Sequence, residues 1–198
     1  MNVSETVQQF NISHIKIYLL VRDNAANMAA AAVKADYESL PCFLHTLQLS
    51  INDAIVTQKY LKDILSICKQ IVGHFNHSPA AFAKYQEYQK RFNLPDHKFI
   101  QDIQTRWNSH YYMMSRVFEQ KSALISYCSD HAKPHCLESN QWKILERMLK
   151  VLKQFVDCTN LLNYREATAS LIIPHIKVIF HFFYMGEEKG LFDGLVQY

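Results

Sequence analysis

Glycine and proline are scarce in this chain: 198 residues carry only 4 Gly and 5 Pro. Few tight turns can be made without strain, which argues against an all-β design and favours helices. Cysteine is sparse and unpatterned. The five, Cys42, Cys68, Cys128, Cys136 and Cys158, are odd in number and do not have the spacing of a disulfide framework, so a reducing compartment is expected. No charged-then-apolar leader opens the sequence and no run of 18 apolar residues occurs; neither secretion nor a membrane span is expected. A strong charge excess is also missing. The net charge is +3, too small to demand a polyanionic partner. Internal repeats and low-complexity runs do not occur.

Hydrophobic residues make up 49% of the chain, so a packed core is within reach and disorder is excluded as the default. After a short helix over residues 4–11, the run "HIKIYLLVRD" reads as a buried strand of six or seven residues, the one convincing strand in the chain. A single strand cannot satisfy its own edges, so the expectation is either that it pairs elsewhere or that the chain is a piece of something larger. "DNAANMAAAAVKADY" follows as a polar turn and an alanine-rich helix, and Pro41 marks the next helix entrance. From there the pattern is α-helical. Leu61, Ile64, Leu65, Cys68, Ile71, Val72 and Phe75 form one stripe. Ser78 and Pro79 open another helix as cap and first residue. Residues 93–104 read as a loop. Trp107, Tyr111, Met114 and Phe118 form the next stripe, and Trp142, Leu145, Leu149, Leu152, Phe155 and Val156 mark a long helix. Pro174 and the turn-like "MGEEKG" divide the tail. The predicted fold is mostly α with a short α/β part over residues 1–52 and a helical domain over 53–198.

Four constellations carry chemistry. Asp23 lies at the carboxyl end of the strand, where α/β folds place working groups; it can cap the next helix or contribute to a Mg²⁺ site. Read locally, the cap is favoured. Cys42 and His45 share one helix face. Two ligands do not make a zinc site, and a packed Cys with a satisfied His is the plainer reading; a His that positions phosphate or moves a proton is the other. "CSDHAKPHC" gathers Cys128, His131, His135 and Cys136 in nine residues, but a polar loop is favoured over zinc. His74 and His77 suit the negative end of a helix. The fourth is "QDIQTRWNSHYYMM". Arg106 can grip a phosphate in bidentate fashion and Trp107 can stack on an unpaired base, while Asn108 and Ser109 can begin the helix. Trp107 also opens the stripe described above, and core packing explains it without a ligand. Residues 59–121 hold ten Lys/Arg against five Asp/Glu; this basic middle segment permits a nucleic-acid partner.

Taken in order, "VRDNAANM", "CFLHTLQLSINDAI", "GHFNHSPAAFAKY" and "DIQTRWNSHYYMMSRVFEQKSAL" resemble the transposases of the hAT superfamily, and especially the transposase-derived region of BED-type zinc finger proteins. "TASLIIPHI" matches a later pattern of that family more loosely. The resemblance implies part of a ribonuclease-H-like fold followed by its helical insertion domain. Asp23 falls at the second of three metal-binding acids. Cys42 and His45 match a C/D-x-x-H signature near the catalytic centre, which makes His45 a candidate catalytic group and Cys42 a candidate DNA contact. Arg106 and Trp107 match an "RW" pair that holds DNA, with Asn108 beside it. The sequence departs from the family pattern at Arg22, where Thr is usual, and the first and third acids have no match. No BED finger is present. One carboxylate cannot hold two metals in line, so no nuclease activity is expected of the isolated chain, and Mg²⁺ or Mn²⁺ is expected only in a complete family member. The reading is a truncated or domesticated hAT transposase-like protein, nuclear and DNA-associated, with a homodimer expected only through a further C-terminal region and no membrane partner. Alternatives are a protein-interaction or dimerisation module, or a fragment of an active metal-dependent transposase.

Overall fold

The computed structural model describes residues 3–103, 107–163 and 169–188. The chain falls into two compact units, Met1–Ile51 and Asn52–Tyr198, and is mostly helical.

The first unit opens with α1 (Val3–Gln9) and a 3-10 turn at His14–Lys16. Then come β1 (Leu20–Arg22), α2 (Ala26–Lys34) and β2 (Ser39–Pro41). The two strands are parallel, with Leu20 opposite Ser39 and Arg22 opposite Pro41. A parallel pair needs a crossover, and α2 supplies it. The run of alanines sustains that helix without side-chain entropy cost. It ends at Asp36, whose φ of 56° is left-handed. Asp tolerates that region, and the reversal lets the Tyr37 N–H donate to the Ala32 carbonyl at 3.1 Å. Ala32, Ala35 and Tyr37 are buried, and the Tyr37 ring stacks on His14 at 4.4 Å.

Three expectations for this unit need correction. The strand is three residues long, not six or seven, because His14–Lys16 coils into the 3-10 turn. It is not buried either: Tyr18 is 91% exposed and Val21 65%. And it has a partner, β2, hidden in the sequence by its brevity and by Pro41, which closes that strand rather than opening a helix.

α3 (Phe43–Thr57) carries the chain across the boundary. The second unit contains α4 (Lys59–His77), α5 (Pro79–Arg91), α6 (Trp107–Glu119), α7 (Lys121–Asp130), α8 (Ser139–Leu162) and α9 (Ile172–Glu188). α6 packs on α4 and α8, α5 packs on α4 and α7, and α9 packs on α8. The stripe of α4 is buried as expected at Ile64, Leu65, Cys68, Ile71, Val72 and Phe75, with Leu61 half-buried. Phe75 meets Tyr85, Phe99 and Tyr127 with ring centroids 4.6, 5.0 and 5.1 Å away, in tilted, stacked and edge-on arrangements respectively. Ser78 caps α5, its hydroxyl accepting the Ala81 N–H at 3.2 Å, and Pro79 sits at the first position. Gln141 caps the start of α8 by accepting the Glu138 N–H at 2.9 Å.

A buried amide links three segments of this unit. The Gln120 carbonyl oxygen accepts from Tyr85 Oη at 3.3 Å and Gln89 Nε2 at 3.1 Å, and its Nε2 donates to the Pro95 carbonyl at 3.2 Å. The irregular stretch after α5 is thereby fastened to the core, because buried polar groups need partners.

Three further expectations shift. In α6 the buried face is Trp107, His110, Met113, Met114 and Val117, with Tyr111 and Phe118 only half-buried; a helix packed against both α4 and α8 buries a broader face than one stripe. α9 runs on through Met185–Glu188 rather than turning there, and Pro174 lies in its first turn, where no N–H donor is needed. His74 lies in the last turn of α4 as expected, but burial, then the nearby Lys133 and His131, push its pKa down, which works against the cation that suits a helix end.

Candidate functional site

Asp23, Cys42 and His45 gather where β1 and β2 end and α3 begins. The Cys42 N–H donates to the Arg22 carbonyl, extending the strand pairing by one residue. The Cys42 carbonyl then accepts from Thr46 N at 3.0 Å and Thr46 Oγ1 at 3.1 Å. Asn24 Nδ2 donates to Thr46 Oγ1 at 3.3 Å, tying the turn after β1 to the first turn of α3. This is the carboxyl-end edge of the parallel strands, the side on which α/β folds place ligands.

The chemistry there is modest. Asp23 is exposed, and its Oδ1 accepts the Ala25 N–H at 3.1 Å. That contact settles the turn before α2, though the cap residue itself is Ala25. Arg22 turns away from the carboxylate: its Nε donates to Ser39 Oγ at 3.1 Å and its Nη1 to the Asp23 carbonyl at 3.1 Å. Cys42 and His45 are half-buried. Among the described residues no group of three or more His, Cys, Asp or Glu side chains could hold a metal ion. A divalent ion at Asp23 would have one carboxylate, part of it already committed to the backbone, so the donor set present does not fit a catalytic Mg²⁺ or Mn²⁺. The same holds for Cys128, His131, His135 and Cys136: among the described residues they form no group that could hold a metal ion, and His131 stacks on Tyr127 at 4.2 Å.

In the "RWNSH" stretch, Arg106 lies outside the described residues. Trp107 is 2% exposed. Its indole packs inside the helical body, and no face of it is open to a base in this conformation. Asn108 is half-buried, with a buried side-chain oxygen that has no partner.

The sequence reading missed the residue that organises this stretch. Asp102 has a side chain only 3% exposed. Its Oδ2 lies 2.8 Å from Lys69 Nζ on α4, and its Oδ1 accepts from Ser109 Oγ at 2.9 Å and from His110 Nδ1. Ser109 also accepts the Ile103 N–H at 2.9 Å. Burial pulls the Asp102 pKa upward, but the hydrogen bonds from Lys69, Ser109 and His110 together outweigh it and hold the carboxyl below its ordinary value. A paired, hydrogen-bonded carboxylate of this kind locks the start of α6 onto α4. Ser109 and His110 were visible in sequence as polar residues at a helix start; Lys69 is far away in the chain and carried no local signal.

Residues 40–151, more than half of the chain, match the model of the ZBED1 RNase-like helical domain. The chain belongs to this family, the hAT-derived region of BED-type proteins. Human Zinc finger BED domain-containing protein 4 is 27% identical over 165 residues, covering 83% of this chain and 14% of that protein. Human Zinc finger BED domain-containing protein 6 is 28% identical over 157 residues, covering 79% and 16%. The Zea mays protein named "Putative AC transposase" is 29% identical over 159 residues, covering 77% and 18%. The chain thus spans less than a fifth of the length of these relatives. No solved structure matches it. No helix of the described residues is long and apolar enough to cross a membrane.

Proposed function

We propose that this chain is a domesticated, transposase-derived helical module that associates with DNA in the nucleus and does not itself cut it. The observation that carries the reading is the family match over residues 40–151. Relatives named as BED zinc finger proteins and as a transposase support it, as does the cationic excess of residues 59–121. The first unit is read as a partial ribonuclease-H-like segment, its parallel strands and crossover helix supporting that assignment. Among the described residues, the carboxylate at the carboxyl ends of the strands, Asp23, is bonded to the turn, which supports a retained scaffold without strand-cutting chemistry.

The test is a labelled duplex oligonucleotide titrated with the purified chain at several salt concentrations, together with a nicking assay in Mg²⁺ or Mn²⁺. The affinity is expected to fall steeply with salt as counterions are released, with the DNA left intact. Absence of salt-dependent binding would overturn the DNA association. Cleavage abolished by Asp23→Ala would overturn the non-cutting part. A second reading, a protein-interaction or dimerisation module, is favoured by one feature: Ile173, Phe180 and Tyr184 on α9 are 65%, 71% and 65% exposed and lie along one side of that helix. Association that rises with concentration and is indifferent to DNA, read by sedimentation, would select it.

A further inference from the structure

We propose that the hollow beside the Lys69–Asp102 pair is a binding site for the phosphate group of a nucleotide. The hollow lies within the second unit and has a volume of about 370 Å³, in the range of small-ligand sites. Its polar lining comes from Asn52 on α3, Lys62, Ser66 and Lys69 on α4, and His110 on α6. Lys62, Ser66 and Lys69 recur at steps of four and three, so α4 presents two ammonium groups and a hydroxyl along one face. All three can donate to phosphate oxygens.

Three observations make this more than a basic surface. First, Lys69 is already held in place by Asp102 at 2.8 Å, so little side-chain entropy remains to be lost on binding. Second, the Asp102 carboxylate is almost fully buried and meets Lys69, Ser109 and His110; it is not among the groups lining the hollow, and the two ammonium groups outnumber it. Third, the side-chain oxygen of Asn52 is buried without a hydrogen-bond partner. Such an acceptor is costly to leave unmet, and because Asn52 lines the hollow, a turn of its side chain would bring the amide to an N–H or O–H of a bound ligand. Val56 and Leu65 complete the lining with apolar surface. A bare inorganic anion uses the cations alone, whereas a nucleotide also offers donors to Asn52 and a flat body to the apolar wall.

The phosphate can come from a DNA strand or from a free nucleotide. In the first case the proposal deepens the DNA-associated reading and rests on it; in the second it stands alone. The experiment is a set of amide-resolved NMR titrations of the whole chain with inorganic phosphate, with deoxyadenosine monophosphate and with a short duplex. Each is repeated on Lys62→Ala, Lys62→Glu and Lys84→Ala, the last an exposed lysine outside the hollow. Lys62 is exposed as well, so its variants are expected to fold, which the spectra themselves verify. The expected result is that the mononucleotide or the duplex shifts the Lys62, Ser66 and Lys69 signals, binds more tightly than inorganic phosphate, and loses about tenfold in affinity in Lys62→Ala and more in Lys62→Glu. Lys84→Ala is expected to change affinity less than twofold. If no ligand shifts those signals, or if Lys62→Glu binds as the native chain does, the hollow is not a phosphate site. Duplex binding that is untouched by the Lys62 variants sinks the hollow and leaves the DNA association standing. Mononucleotide binding at Lys62 without duplex binding keeps the hollow, assigns it a free ligand and removes the DNA association.

Discussion

The two units use apolar residues very differently. In the second, Ile64, Ile71, Met113, Met114, Leu124 and Leu145 are fully buried. In the first, Ile15, Tyr18 and Val33 are 84%, 91% and 79% exposed, and the buried positions include small ones such as Ala32 and Ala35. Composition alone does not decide burial; a face must have a second layer to pack on. The mutually packed helices α4 to α9 supply that layer in the second unit. A two-stranded ribbon with one crossover helix supplies less, and its parallel pairing belongs to sheets normally covered on both faces. The second unit is therefore where folding free energy is concentrated, and the first is expected to open at lower cost.

That contrast can be tested by substitutions in order of expected effect. Leu145→Ala, at the centre of the helical body, is expected to cost about 2–5 kcal/mol, measured by denaturant unfolding; a loss under 1 kcal/mol would mean that the body is loosely packed. Asp102→Asn is expected to cost about 3 kcal/mol, since it leaves Lys69 and His110 without their buried carboxylate. Its pH dependence has a definite sign. The folded pKa of Asp102 lies below its ordinary 3.8. The charged contact therefore stabilises the fold fully above the ordinary value and is lost as pH falls through that value toward the depressed one. The stability gap between native and variant is expected to be flat near neutrality and to close in acid; a gap that persists there would show a role for shape rather than charge. Ser78→Ala, which removes the cap of α5, is expected to cost about 1 kcal/mol by the same measurement. Val33→Ser in the first unit is expected to change stability by no more than about 0.5 kcal/mol. A larger loss would show that this side chain is covered in solution and would weaken the contrast itself.

The legible features were those written in local spacing. The α4 stripe from Ile64 to Phe75 repeats at three and four, and Ser78–Pro79 is a helix start at first sight; both stand in the structure as read. Trp107 was read with two explanations, and its burial is the one that packing gives. The illegible features depend on partners distant in the chain. β2 is three residues with a terminal proline, too short to show alternation. The face of α6 was misjudged because a helix touched on two sides no longer has a single stripe. Asp102 sits in a loop, and only the fold brings Lys69 to it. Of the expected site residues, Asp23, Cys42 and His45 lie on segments that the Cys42–Arg22 and Asn24–Thr46 hydrogen bonds tie together at the strand ends, whereas the cations of the hollow had to wait for the packing of α4 against α6.

The Asp102 carboxylate acts as a spacer as much as a bond. It fixes the gap between two helices from a position no ligand can touch. Lengthening it by one carbon, as in a glutamate, would change the width of the neighbouring opening while every residue on its rim stayed the same. The shape of the proposed phosphate site is therefore set in part by an interior residue that does not line it.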